Sequence, residues 1–235
     1  MAKARKSSNL IEHVNQEESA NAVYVESIFE KEYFQDSEHT LSNYEDYCRR
    51  RYEGLCQALI TECGIQKDDY IIDYGCATGA LLAAFKAHGY TNVVGTDISY
   101  WAIEYGKTKL GLESELQYYN RNLLVQDKDW LIMLDVLEHM PTENELRLTL
   151  KLVSHRIPRK GMILRVPVPV KEGEDYYLEA SRFDKTHVQR HTKKWWLSLL
   201  SEFGLHASKY FSEKPDIWDS KGVLAVLLTL GIEKK

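Results

Sequence analysis

Two aspartates, two glycines and two histidines give this sequence its chemistry. Asp73 stands near the end of the apolar run Tyr70-Ile71-Ile72-Asp73-Tyr74, and Gly75-Cys76-Ala77-Thr78-Gly79 follows before a helical pattern over Leu81–His88. This is the pattern of a strand that delivers a carboxylate and then turns through glycines into a helix, and glycine lets the backbone pass close to a ligand. The N–H groups of such a turn suit a carboxylate or another electron-rich group. The dinucleotide fingerprint G-x-G-x-x-G is not met, because Ala77 and Ala80 occupy its later glycine positions. Asp73 is ill placed beside a pyrophosphate and suits a ligand that bears an ammonium group. Asp97 ends Val93-Val94-Gly95-Thr96-Asp97, about 20 residues past the turn, where a carboxylate accepts from both ribose hydroxyls. Ile98 beside it makes an apolar wall for an adenine, and Ser99 caps the helix that begins at Tyr100. His139, four positions after Asp135, and His187 are the side chains poised to take a proton near neutral pH.

An ammonium group, a ribose and an adenine occur together in S-adenosylmethionine. The spacing D-x-G-x-x-x-G from Asp73 to Gly79, the acid Asp97 ending the second strand, and Leu134-Asp135-Val136-Leu137-Glu138-His139 after the fourth resemble a class I S-adenosylmethionine-dependent methyltransferase of the small-molecule or sugar type. The similarity runs from about Tyr70 to Leu230. It implies a Rossmann-like α/β fold with a seven-stranded sheet in the order 3-2-1-4-5-7-6, the last strand antiparallel. It also implies that Asp73 and Gly75 meet the methionine part of the cofactor and Asp97 the ribose, with Cys76, Gly79 and Asp135 also among the cofactor-binding residues. Asn120 stands where relatives often place an acid that accepts from the adenine amino group, so Asn120 or a backbone carbonyl takes that place here. Asp184-Lys185-Thr186-His187 is similar to the Asp-x-Thr-His segment of many small-molecule methyltransferases, which makes His187 a second candidate base. The aromatic run from Tyr33-Phe34 to Tyr44-Glu45-Asp46-Tyr47 resembles the N-terminal lead of methyltransferases that act on sugars or other metabolites.

The elements that must position these residues are legible from periodicity. Strands are expected at Tyr70–Tyr74, Val93–Asp97, Glu115–Tyr119, Trp130–Asp135, Met162–Val166, His206–Phe211 and Val223–Leu230. Helices are expected at Leu81–His88, Tyr100–Lys109, Glu143–Ser154 and Lys193–Glu202, and this alternation implies parallel strands with right-handed crossovers. Pro167 and Pro169 end the fifth strand, and Val170–His191 reads as a long polar and aromatic insertion of the kind that shapes substrate sites. Tyr176, Arg182 and Arg190 from this insertion, with Tyr33 and Tyr44 from the lead, are the candidate acceptor contacts; arginine clamps a carboxylate or phosphate through its fixed fork. Of Trp195 and Trp196, one is expected to enter the core. The chain divides into a tail over 1–22, a helical lid or extension over 23–64 and a methyltransferase domain over 65–235.

Composition sets the outer bounds. With 44% hydrophobic and 28% charged residues in 235, the chain has the balance of a globular domain. A net charge of −5, with no dense Lys/Arg stripe, disfavours nucleic acid as a partner. The four cysteines lack paired spacing and no apolar leader is recognisable, which points to the cytoplasm. The longest apolar run, Val223–Leu230, falls far short of the roughly 20 residues that cross a membrane. No metal is required for methyl transfer. The reading is a methyltransferase acting on oxygen or nitrogen of a small polar molecule such as a sugar, glycan precursor or natural product, as a monomer or homodimer. An RNA or protein methyltransferase and a non-catalytic binding module of the same fold are the alternatives.

Overall fold

The computed structural model describes residues 28–35, 44–211 and 221–230, with the side chains of 32, 35 and 44–50 outside that description. In chain order the helices are α1 (Lys31–Gln35), α2 (Tyr44–Cys63), α3 (Ala80–Ala87), α4 (Tyr100–Leu110), α5 (Glu143–His155), α6 (Glu179–Phe183) and α7 (Lys193–Glu202). The strands are β1 (Ile71–Tyr74), β2 (Val93–Asp97), β3 (Leu116–Tyr118), β4 (Trp130–Leu134), β5 (Gly161–Pro167), β6 (Leu205–Tyr210) and β7 (Val223–Leu230). They make one sheet in the order β3-β2-β1-β4-β5-β7-β6. The first five run parallel, and β7 is antiparallel to both β5 and β6. This is the order and the strand direction that the family resemblance implies. The tail over 1–22 lies outside the described residues, as do 23–27 and 36–43 of the helical extension.

Side chains alternate between the two faces of a strand, and here the alternation builds two apolar layers. Leu131 and Met133 of β4 and Met162 and Leu164 of β5 meet Leu146, Leu150 and Val153 of α5 and Trp196, Leu199 and Leu200 of α7. Trp130 and Ile132 of β4, with Ile163 of β5, join Leu55 and Leu59 of α2, Leu82 and Phe85 of α3 and Ile103 of α4. Each such side chain, fully buried, contributes about 1.5–3 kcal/mol, so the sheet is clamped from both sides and its carboxyl edge is a rigid base for a site. Trp196 is the tryptophan that enters the core, while Trp195 stays half-buried with His191 stacked on its ring at 3.5 Å.

Helix ends follow the local chemistry. Ser99 accepts from the Ala102 N–H at 3.0 Å and caps α4, as expected, and Gly111 closes that helix at φ 67°. Thr142 and Thr192 cap α5 and α7 in the same way. Pro167 is the last residue of β5 and pairs with Val223. The sequence assigns no element to Val170–His191, but the structure folds it: Pro169 bridges to Tyr176, and α6 lies within it. Among the described residues no helix is long and apolar enough to cross a membrane.

Candidate active site

β1 pairs with β2 on one side and β4 on the other, so the crossovers reverse direction at β1 and leave a crevice beyond its carboxyl end. A cavity of about 460 Å³ opens there, the size of a small-molecule site. Its wall holds Tyr33, Gly75, Asp97, Ile98, Asn120, Asp135, His139 and His187 of the residues singled out from sequence.

The turn after β1 is built for close approach. Gly75, Ala77 and Gly79 all take left-handed backbone, at φ 80°, 48° and 76°. A Cβ at Gly75 would stand 2.3 Å from Val136 Cγ2, so the turn and the segment after β4 touch only because a side chain is missing. Gly106 of α4, which sequence reasoning did not single out, does the same work from behind: a Cβ there would fall 2.2 Å from the Thr78 carbonyl oxygen. The N–H groups of Gly75 and Cys76 donate to the Thr96 carbonyl at 2.8 and 3.1 Å, which ties the turn to β2.

Asp97 and Asp73 have opposite surroundings. Asp97 accepts from the Ala77 N–H at 2.7 Å and the Ser99 N–H at 2.8 Å, one on each oxygen. Each oxygen keeps a further lone pair, and burial raises the carboxyl while the backbone donors pull it back down. Asp73 is 4% exposed and, among the described residues, receives no hydrogen bond. Burial first, and the neighbouring Asp97 second, push its carboxyl up to about 7. A buried carboxylate without a donor is costly, and a cation is the partner that relieves it. Asp73, Cys76 and Gly79 lie behind the cavity wall rather than on it.

The opposite end of the cavity is a histidine pair. The rings of His139 and His187 are 4.6 Å apart between centroids. The Thr186 hydroxyl donates to Asp184 Oδ1 at 2.5 Å, so at its 2.8 Å contact with His139 Nδ1 it accepts. That assigns the proton of His139 to Nδ1 and leaves the lone pair on Nε2. Burial, then the neighbouring His187, lower His139 to about 4, which keeps it neutral. A neutral imidazole with a free lone pair can take a proton or bind a cation. His187, also lowered chiefly by burial, directs Nδ1 to the Ser181 carbonyl at 3.2 Å. Its Nε2 is 3.4 Å from Asp184 Oδ2, and the Tyr33 hydroxyl donates to the same oxygen at 2.9 Å. Tyr33 therefore ties α1 to the insertion across the cavity. Phe29 packs edge-on against His139 at 5.2 Å, and Phe34 stacks on Trp101 of α4 at 5.5 Å.

Other singled-out residues serve the insertion instead. Tyr176 is buried, with its hydroxyl donating to the Gln189 carbonyl at 3.1 Å. Arg182 donates to the carbonyls of Tyr176 and Tyr177 at 2.6 and 2.9 Å. Arg190 donates to the His187 carbonyl at 3.2 Å and pairs with Asp175 at 3.4 Å. The structure does not bring these three to the cavity wall, and the side chain of Tyr44 lies outside the described residues. Asn120 is on the wall, but its amide is used locally: Nδ2 donates to Gln117 at 2.5 Å and Oδ1 accepts from the Asn122 N–H at 3.0 Å.

Sequence reasoning missed Arg165 and Arg51, which both line the cavity. Arg165 interrupts the apolar run of β5, a signal that was available, and its guanidinium is bound to Asp135. Arg51 reaches the same carboxylate at 3.7 Å. Asp135 is held between them on left-handed backbone at φ 55°, a conformation that aspartate tolerates and that gathers at functional sites. Glu138 was also missed: it is completely buried, and among the described residues neither of its carboxylate oxygens has a hydrogen-bond partner.

A doubly wound sheet with this strand order and a glycine turn between two acids defines the class I methyltransferase fold. The family model described as "Methyltransferase domain" matches residues 47–209, and the chain belongs to that family. Among solved structures, the methyltransferase domain of bacterial CtHen1 is 22% identical with a TM-score of 0.54, covering 78% of this chain and 100% of that one. A magnesium protoporphyrin IX methyltransferase from Synechocystis PCC 6803, solved with S-adenosylhomocysteine, is 19% identical with a TM-score of 0.57, covering 80% and 89%. An S-adenosylmethionine-dependent methyltransferase from Clostridium acetobutylicum is 14% identical with a TM-score of 0.58, covering 78% and 92%. These likenesses concern the fold. No curated protein matches the chain in sequence.

Proposed function

We propose that this protein transfers the methyl group of S-adenosylmethionine to a small polar acceptor held between Asp135 and the histidine pair. The observation that carries the reading is Asp73, a buried carboxylate with no donor of its own, set behind a glycine turn whose neighbour Asp97 keeps free lone pairs. The cofactor brings a methyl carbon already activated by its sulfonium. Asp73 suits its ammonium group, Gly75 gives the backbone approach, Asp97 suits the ribose hydroxyls, and Ile98 walls the adenine. Asn120, with its amide occupied, offers the adenine less than its backbone does.

The chain's other task is alignment and proton handling, which govern in-line displacement at carbon. His139, neutral and oriented by Thr186 and Asp184, is placed to take the proton of a hydroxyl or amine. Tyr33 and Phe29 cover that end of the cavity, which supports reading residues 23–64 as a lid over the site. Arg165 and Arg51 hold Asp135 and give the acceptor end both signs of charge, fitting a polar rather than an apolar acceptor.

Calorimetric titration with S-adenosylmethionine and, separately, NAD tests the cofactor half. Micromolar binding of the former alone, weakened in Asp97→Ala, is expected. Binding of NAD alone, or equal binding by wild type and Asp97→Ala, would sink the assignment. A metabolite screen for transfer of labelled methyl tests the acceptor half.

A further inference from the structure

We propose that Glu138, His139 and His187 bind one divalent first-row transition-metal ion at the acceptor end of the cavity. One ligand atom from each lies within 4.8 Å of the other two. Around an ion with bonds of about 2.1 Å, tetrahedral ligands sit about 3.4 Å apart, so closure needs shifts of about 1 Å. Glu138 is free to supply them because no hydrogen bond restrains its carboxylate.

Three independent features favour an ion over a merely packed cluster. First, both Glu138 oxygens are sealed from solvent without a donor among the described residues, a state that a buried carboxylate leaves by pairing with a cation or by keeping a proton. Second, the Nδ1 atoms of both histidines are already committed, to the Thr186 hydroxyl and the Ser181 carbonyl. At His139 this leaves Nε2 as the free lone pair, the arrangement in which outer partners orient metal-binding imidazoles. At His187 the other nitrogen, Nε2, stands 3.4 Å from Asp184 Oδ2, a carboxylate that orients the ring beside the ion. Third, the ligands are locked in register: the Glu138 carbonyl accepts from the N–H groups of Val188 and Gln189 at 2.9 and 3.0 Å. Glu138 is thereby pinned to the segment that carries His187. Asp184 and Asp135 lie close by and would offset the ion's charge.

Two imidazoles and one carboxylate suit zinc, manganese, iron or cobalt, and three protein ligands leave positions open. This site deepens the methyltransferase reading and, for its catalytic use, rests on it. An ion here would acidify a coordinating hydroxyl of the acceptor and so narrow the acceptor to an oxygen nucleophile. The hydroxyl proton passes to solvent, the oxygen forms its bond to the methyl carbon, and the carbon–sulfur electron pair returns to sulfur. His139 then serves as a ligand rather than as the base.

The test is titration of the chelator-treated full chain with Mn²⁺, Co²⁺ and Zn²⁺ by calorimetry, with S-adenosylmethionine titrated into the same samples. One ion per chain is expected, bound at least about tenfold more weakly by Glu138→Gln and His187→Ala. Circular dichroism checks that each variant is folded. On wild type, Mn²⁺ should broaden the ring resonances of His139 and His187 ahead of the other histidines, a readout that survives loss of a variant. No binding of any of the three ions, unchanged affinity in folded variants, or broadening centred elsewhere overturns the site. Cofactor binding without an ion would sink only this proposal, whereas ion binding without the cofactor would sink only the methyltransferase reading.

Discussion

If Asp73 receives the cofactor's ammonium group, cofactor affinity must depend on pH in a specific way. In the ligand-free protein its carboxyl sits at about 7, raised by burial and then by Asp97. Only the ionised form attracts a cation. With that value, the ionised fraction rises from about 9% at pH 6 to about 90% at pH 8, so affinity should improve about tenfold, or about 1.4 kcal/mol, over that window. At pH 6, binding should release close to one proton per site. His139, lowered to about 4, stays neutral throughout and adds nothing to the slope. The assay is calorimetry at pH 6, 7 and 8 in two buffers of different ionisation heat, on wild type and Asp73→Asn. The variant should bind weakly with a flat profile. The same carboxyl also links pH to folding. Its folded value lies above the ordinary 3.8, so the stability it contributes is present below about 4 and is lost as pH rises toward 7. Asp73→Asn should therefore stabilise the ligand-free protein at pH 8, by up to about 4 kcal/mol. A dissociation constant that stays level from pH 6 to 8 in wild type, without proton release, would refute the reasoning.

Two further substitutions probe the frame of the site. Gly75→Ala forces φ 80° on an alanine and drives its Cβ into Val136. It should cost about 1–3 kcal/mol in thermal unfolding and reduce cofactor affinity; unchanged stability would show that the turn is not constrained as described. Tyr33→Phe removes the donor to Asp184 across the cavity, worth about 0.5–1.5 kcal/mol. It should raise the KM for the acceptor with little change in cofactor affinity, and the reverse pattern in steady-state kinetics would count against Tyr33 as part of a cover.

The parallel half of the sheet was legible because its strands are short apolar runs with turn residues between them, and Asp73 and Asp97 stand out against those runs as the charges at their ends. The order of the strands came from resemblance to a known fold rather than from pattern. Local sequence could not show that Tyr176 turns inward: its burial depends on Pro169 folding back beside it and on a carbonyl thirteen residues away. Arg182 and Arg190 read as forks for an acceptor for the same reason, since their partners are backbone carbonyls of a loop whose path is set by tertiary contacts. In sequence Glu138 is only one member of the motif after the fourth strand, yet a turn of 3-10 helix at Leu137–His139 tucks its carboxylate inside. Charges inside apolar runs, as at Arg165, were the available clue that the cavity wall extends onto β5.

Strand order also bears on how the chain assembles. β2 pairs with β1 and β3, its neighbours in sequence, and β1 pairs with β4, so the half of the sheet that bears Asp73 and Asp97 can gather as soon as residues 71–134 are available. β5 waits for the end of the chain: its second partner is β7, which begins at Val223. Until that strand arrives, β5 presents an open hydrogen-bonding edge, the kind of surface that invites wrong pairing. Because Pro167 and Arg165 of β5 line the cavity, completion of the acceptor end is tied to this late step. The protein should pass through a species with an ordered cofactor end and an unfinished acceptor end.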